Sequence, residues 1–186
     1  MAGAPAPTVA ARALLAAFAW RCPALVEAVR PLYRLSGPSR ALFTEDPVER
    51  IAQCQCGQLR VIASGEPDAV NMCHCSECQR RTGALFGSGA YYEKSAVRIE
   101  GPSKLYTRDG QEDRKVRIRF CPNCGSSVYW EADLRPGLYG IAVGAFADPR
   151  FPLPSASVWE QSMHSWVAAP PGAQNYSQGR QSAASG

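Results

Sequence analysis

The sequence has no hydrophobic run long enough to cross a bilayer. Its longest, Ala13 to Trp20, is eight residues, against the roughly 18–20 that a spanning helix needs, so no membrane partner is expected. Histidine is scarce, with His74 and His164 alone. Charge is modest, at 19% of residues. Residues 45–186 carry 15 basic and 15 acidic side chains, and a neutral body offers no electrostatic footprint for nucleic acid. The net charge of +4 resides in residues 1–44, where five arginines stand against Glu27. No internal repeat is visible beyond recurring Cys-rich knuckles.

What is present is apolar, loop-rich and clustered in its cysteines. Hydrophobic residues make up 46% and Pro and Gly together number 31, which favours a mainly β architecture over a helical bundle. A length of 186 residues predicts one domain with an extension rather than two full domains. The expected division is an N-terminal extension over residues 1–45, a zinc-binding domain over 46–168, and a flexible tail over 169–186.

The extension is rich in Ala, Pro and Arg. Thr8 is positioned to cap a short helix ending near Arg21, with Pro23 as its stop. The plain reading is a poorly structured or weakly helical segment on a cytoplasmic protein. The alternative is a mitochondrial-type presequence, which is Arg-containing and acid-poor.

From Glu49 onward the texture is that of short strands. Ile51 to Cys56 leads into Gly57, where a positive φ would let the backbone fold back on the sulfurs. Leu59 to Ala63, Ala84 to Tyr92, Val97 to Ile99 and Lys104 to Thr107 are further strand candidates. Val116, Ile118 and Phe120 alternate with Arg117 and Arg119, a half-buried strand pattern. Val128 to Glu131 and Leu138 to Phe146 continue the β reading, and Ser157 to Trp166 is a last strand or turn-helix.

Seven of the eight cysteines fall in three tight groups: Cys54 and Cys56; Cys73, Cys75 and Cys78; Cys121 and Cys124. A bridge within Cys-x-Cys is strained and seven thiols leave one over, so metal fits better than a disulfide framework. In extended backbone, Cys73 and Cys75 point to the same side, and Cys78 follows at loop spacing suited to one ion. Seven thiols divide into a four-sulfur structural site (Cys54, Cys56, Cys121, Cys124) and a three-sulfur site with an open position. An alternative partition joins Cys121 and Cys124 to the Cys73 group and leaves Cys54 and Cys56 free. His74 sits between two cysteines whose sulfurs share a side, so it is expected to point away from them. Tyr91 and Tyr92 read as strand residues, at least one of them core, Trp130, Trp159 and Trp166 as packing residues, and His164 as a surface or strand residue.

The motifs Cys54-Gln-Cys56-Gly57, Cys73-His-Cys75-Ser-Glu-Cys78-Gln79-Arg80, Gly83-Ala84 and Phe120-Cys121-Pro-Asn-Cys124-Gly125-Ser126 resemble the glutathione-dependent formaldehyde-activating enzyme family, which includes centromere protein V. The resemblance covers roughly residues 50–166. It implies a β-tent type fold of small antiparallel sheets and two zinc ions per chain. One would be structural on Cys54, Cys56, Cys121 and Cys124; the other would be exchangeable on Cys73, Cys75 and Cys78. It further implies a carbon–sulfur lyase that condenses glutathione with formaldehyde to S-(hydroxymethyl)glutathione, with Cys73, Cys75 and Cys78 at the reacting centre. Arg80 and Arg81 directly follow that centre and are candidates to hold a glutathione carboxylate. The competing reading is a non-catalytic zinc module, or a zinc site that responds to glutathione by releasing its ion.

Overall fold

The computed structural model describes residues 48–180, all within the unit Glu45–Gly186; the readings made for residues 1–45 lie outside the described residues. Eleven strands in two sheets and one α-helix, with short 3-10 turns, account for the regular structure described. The mainly β expectation holds.

The smaller sheet is antiparallel. It contains β1 (Glu49–Gln53), β2 (Arg60–Ser64) and β5 (Val97–Glu100), in the order β1-β2-β5. The larger sheet holds β3 (Ala69–Cys73), β4 (Gly87–Glu93), β6 (Lys104–Asp109), β7 (Lys115–Phe120), β8 (Ser127–Ala132), β9 (Leu138–Ala142), β10 (Ala156–Val158) and β11 (Gln174–Tyr176). Its order is β11-β10-β3-β4-β9-β8-β7-β6. Antiparallel pairing prevails except at one edge, where β10 runs parallel to both β3 and β11. The helix α1 (Ser76–Thr82) follows β3 directly.

Strand alternation gives the larger sheet two unlike faces. Val70, Ala90, Ile141 and Tyr129 are register neighbours across β3, β4, β9 and β8. All four are buried, and they form the core with Ala52, Leu59, Val61 and Ala63 from around the smaller sheet. Phe146 and Phe151 stack at 4.6 Å and extend that core beyond β9. The opposite face of the larger sheet carries Asn71 and Cys73, Gly87, Gly89 and Tyr91, then Trp130. That face is where the chemistry collects.

Three sequence expectations change. The segment after Cys75 is helical: Cys75 caps α1, its sulfur accepting from the Cys78 amide at 3.4 Å. A thiolate suits a helix N-terminus, where free N–H groups point outward. The strand expected over Leu138–Phe146 stops at Ala142 and turns into a 3-10 segment, Val143–Phe146. The stretch assigned to a flexible tail instead carries β11, paired with β10 in the register Ser157↔Asn175. Trp159 N–H also donates to Gln178 O at 2.9 Å. Residues 174–178 are polar but satisfy backbone groups that β10 and the residues after it would otherwise leave open.

Candidate metal centres and a basic cavity

Two groups of sulfurs emerge among the described residues. In each, every ligand atom lies within 4.8 Å of the others. The division matches the four-plus-three partition; the alternative, with Cys54 and Cys56 left free, does not occur.

The four-sulfur group joins the two sheets. Cys54 and Cys56 lie in the β1–β2 turn, Cys121 and Cys124 in the β7–β8 turn. Each knuckle is closed by a glycine with φ of 76° at Gly57 and Gly125, a conformation that costs a side-chain-bearing residue but not glycine. Gly57 N–H donates to Cys54 O at 2.9 Å, and Gly125 N–H to Cys121 O at 3.0 Å. The sulfurs of Cys54 and Cys56 stand 3.5 Å apart, those of Cys56 and Cys121 3.6 Å. Four thiolates at about 2.3 Å from one zinc would stand about 3.8 Å apart, so the donor set fits a tetrahedral ion. Leu59 N–H donates to Cys54 Sγ at 3.2 Å. The Ser126 hydroxyl, followed by backbone N–H groups of Ser126 and Cys56, holds the Cys124 thiol down to about 5. The contacts at Cys124 favour its thiolate before any cation is considered.

The three-sulfur group sits where β3 meets α1. Cys73 ends the strand, Cys75 caps the helix, and Cys78 lies in its first turn. Hydrogen bonds from the Cys73 and Cys78 thiols hold Cys75 well below the ordinary thiol range, while Cys73 is pushed up. Three sulfurs within 4.8 Å of one another are a donor set that suits a soft cation. Helix and strand come this close because Gly87 has no side chain. A Cβ there would meet Arg81 Nη2 at 2.9 Å and Cys78 Cβ at 3.3 Å.

Around this group lies a cavity of about 680 Å³. Its floor is the second face of the larger sheet, with Val116, Ile118 and Ala132 beside the residues named above. Its walls are α1, the β6–β7 hairpin and the segment after β10. Arg81, Arg108, Arg114, Lys115, Arg135 and Arg180 line it, against Glu77 and Asp109. The neutral body thus concentrates positive charge in one place. Two of these cations lie over aromatic rings: Arg81 over Trp130 at 4.9 Å and Arg135 over Tyr91 at 4.2 Å. Burial raises the Tyr91 phenol above its ordinary value, so it stays protonated at neutral pH.

Gln79 ties α1 to the C-terminal segment. Its Nε2 donates to His74 O at 2.7 Å and Ser162 O at 3.0 Å, and its Oε1 stands 3.1 Å from His164 Nε2. His74 itself is 0% exposed and faces Phe86 at 5.8 Å, outside the sulfur group. Burial lowers its pKa, which keeps the imidazole neutral.

A family model for the glutathione-dependent formaldehyde-activating enzyme matches residues 49–162. The chain belongs to that family. All seven clustered cysteines fall inside the match. Solved structures that resemble the chain include a crystal structure of a Rhodobacter sphaeroides protein, determined as a structural-genomics target. It is 25% identical, with 54% of this chain and 92% of that one covered and a TM-score of 0.41. No curated protein matches.

Within this family site, the two candidate arginines separate. Arg81 lines the cavity; Arg80 pairs with Glu77 at 2.9 Å on the outer side of α1, its side chain 74% exposed, and does not line it. Sequence reasoning missed Asn71, Arg108 and Arg135, and read Tyr91 as a strand residue and Trp130 as a packing residue. The alternation Asn71-x-Cys73 and Gly87-x-Gly89-x-Tyr91 was a usable signal, because every second residue shares a face. Nothing local marks Arg108 or Arg135, which reach the cavity through strand order. Among the described residues no helix is long and apolar enough to cross a membrane.

Proposed function

We propose that this protein binds glutathione in the basic cavity and condenses its thiol with formaldehyde to S-(hydroxymethyl)glutathione, a carbon–sulfur lyase reaction. The observation that carries this is the three-thiol group opening onto a cavity lined by arginines. Glutathione brings two carboxylates and one thiol, so its charges complement the lining and its sulfur complements the cysteines. Zn²⁺ held by Cys73, Cys75 and Cys78 would supply the positive charge that keeps a fourth thiol deprotonated at neutral pH. A second zinc on Cys54, Cys56, Cys121 and Cys124 would be structural.

The chain's own residues orient and select. Arg81, lying over Trp130, is a candidate to hold one carboxylate near the sulfurs; Arg108 and Arg135 line the same cavity, Arg135 lying over Tyr91. In the reaction the thiolate sulfur forms a bond to the formaldehyde carbon and the carbonyl π bond breaks. Its oxygen takes up a proton, balancing the one the thiol lost. Proximity and charge placement, rather than a dedicated triad, supply the catalysis.

The test is zinc per chain before and after glutathione, followed by formaldehyde consumption in the same sample. Consumption faster than the spontaneous thiol reaction, abolished by Cys75→Ser, supports the lyase. Loss of one zinc of two on adding glutathione, without added turnover, would favour a glutathione-responsive zinc site.

A further inference from the structure

The cavity holds one feature that the thiols and arginines do not use. Asn71 is 6% exposed, lines the cavity, and its Oδ1 has no hydrogen-bond partner. A buried carbonyl oxygen left without a donor is unfavourable and uncommon. Its neighbours in register are Gly89 on β4, over which the Trp130 ring lies, and Ala156 on β10; neither carries a polar side chain that could serve the amide. It lies two residues before Cys73 on the same face, about 6.7 Å along the strand.

We propose that Asn71 Oδ1 accepts the peptide N–H of the thiol co-substrate, the N–H three covalent bonds from its sulfur. The inference rests on the glutathione reading above and adds a residue that distinguishes peptide thiols from simple ones. The chemistry of the lining is complementary. Arginine and lysine only donate, which suits carboxylates, whereas a peptide N–H needs an acceptor. The cavity's two carboxylates are already engaged, Glu77 with Arg80 and Asp109 with Lys115. Of the lining's side-chain acceptors, Asn71 Oδ1 is the buried one whose partner is missing. With the thiol at the Cys73 group, a hydrogen bond of about 2.9 Å joins the next polar group of the substrate to the next pocket-facing residue of β3.

The experiment titrates zinc-loaded protein calorimetrically with two ligands. One is glutathione; the other is its depsipeptide, with an ester oxygen replacing the γ-glutamyl–cysteinyl N–H. The natural protein should bind the depsipeptide about ten-fold more weakly, the scale of one buried hydrogen bond. Asn71→Ala should bind glutathione about ten-fold more weakly, with unchanged zinc content, and no longer distinguish the two ligands. Equal binding of both ligands by the natural protein overturns the proposal, whatever the variant does. Discrimination retained by Asn71→Ala overturns it as well. No glutathione binding to the natural protein overturns both this inference and the reading on which it rests.

Discussion

The indole of Trp130 lies against Gly140 so closely that a Cβ at that position would stand 2.3 Å from the indole Nε1. Gly89, on β4, is covered in the same way, with its hypothetical Cβ 2.7 Å from Trp130 Cζ2. Two glycines on neighbouring strands thus form a flat bed for one large ring, and Arg81 lies over that ring. The ring is a rigid plane, so a methyl group beneath it displaces the whole side chain. Gly140→Ala should cost about 1–3 kcal/mol of stability and weaken glutathione binding by moving Arg81. Urea unfolding reads the first effect and a glutathione titration the second; an unchanged midpoint and Kd would count against the bed.

The two sulfur groups should respond oppositely to mutation. Cys121→Ser removes a candidate metal ligand from the group that joins the sheets and should lower stability by several kcal/mol, since structural-metal binding is coupled to folding. Cys75→Ser should lower zinc from two to one per chain, leave the circular-dichroism spectrum unchanged and abolish turnover. Metal analysis and thermal unfolding on both variants make the comparison. If Cys75→Ser unfolded the protein as readily as Cys121→Ser, the division into structural and exchangeable sites would be lost.

Adjacent arginines should behave differently. Arg81→Ala removes a cation from the cavity and is expected to raise the glutathione Kd about ten-fold, the scale of a charge-assisted hydrogen bond. Arg80→Ala breaks an exposed ion pair with Glu77, and such pairs contribute little; its Kd should stay within about two-fold of the parent. Because the effect is electrostatic, the Arg81 contribution should shrink as salt rises. Equal effects from both substitutions would show that neither holds the substrate.

The strand β11 gives a truncation test. Ending the chain before Gln174 exposes the edge of β10 and removes the acceptors of Trp159 N–H and Gln161 N–H. Stability should fall by about 1–3 kcal/mol, seen as a lower denaturant midpoint. A chain whose last residues are merely mobile would lose nothing.

The cysteine spacings were legible because metal ligation is a local demand. Cys-x-Cys and Cys-x-x-Cys place sulfurs within reach of one ion whatever the surrounding fold, whereas the choice between the two partitions of the seven sulfurs was made by the fold. The glycine at 57 was legible for the same reason, since the turn at that position requires its conformation. The strands from Glu49 to Ala142 were mostly visible in their alternation and turn residues. The helix after Cys75 was not, because seven residues from Ser76 to Thr82 bury no apolar stripe. Its start is marked by a cysteine sulfur rather than by the usual hydroxyl or carboxylate cap. The pairing of β11 was hidden too: Gln174–Tyr176 has no strand signature of its own and forms only because β10 presents an open edge.

By itself, then, the sequence determined which cysteines form local knuckles, where the chain turns, and that the architecture is mainly β, all consequences of spacing over a few residues. Which charged and aromatic side chains meet those sulfurs was decided only by tertiary structure. Asn71, Arg81, Arg108, Trp130 and Arg135 come from five different segments and share a cavity because β3, β4, β9, β8, β7 and β6 lie side by side in that order. Strand order depends on how the sheets close over a common core, a nonlocal balance of burial and backbone pairing that no single stretch of sequence encodes.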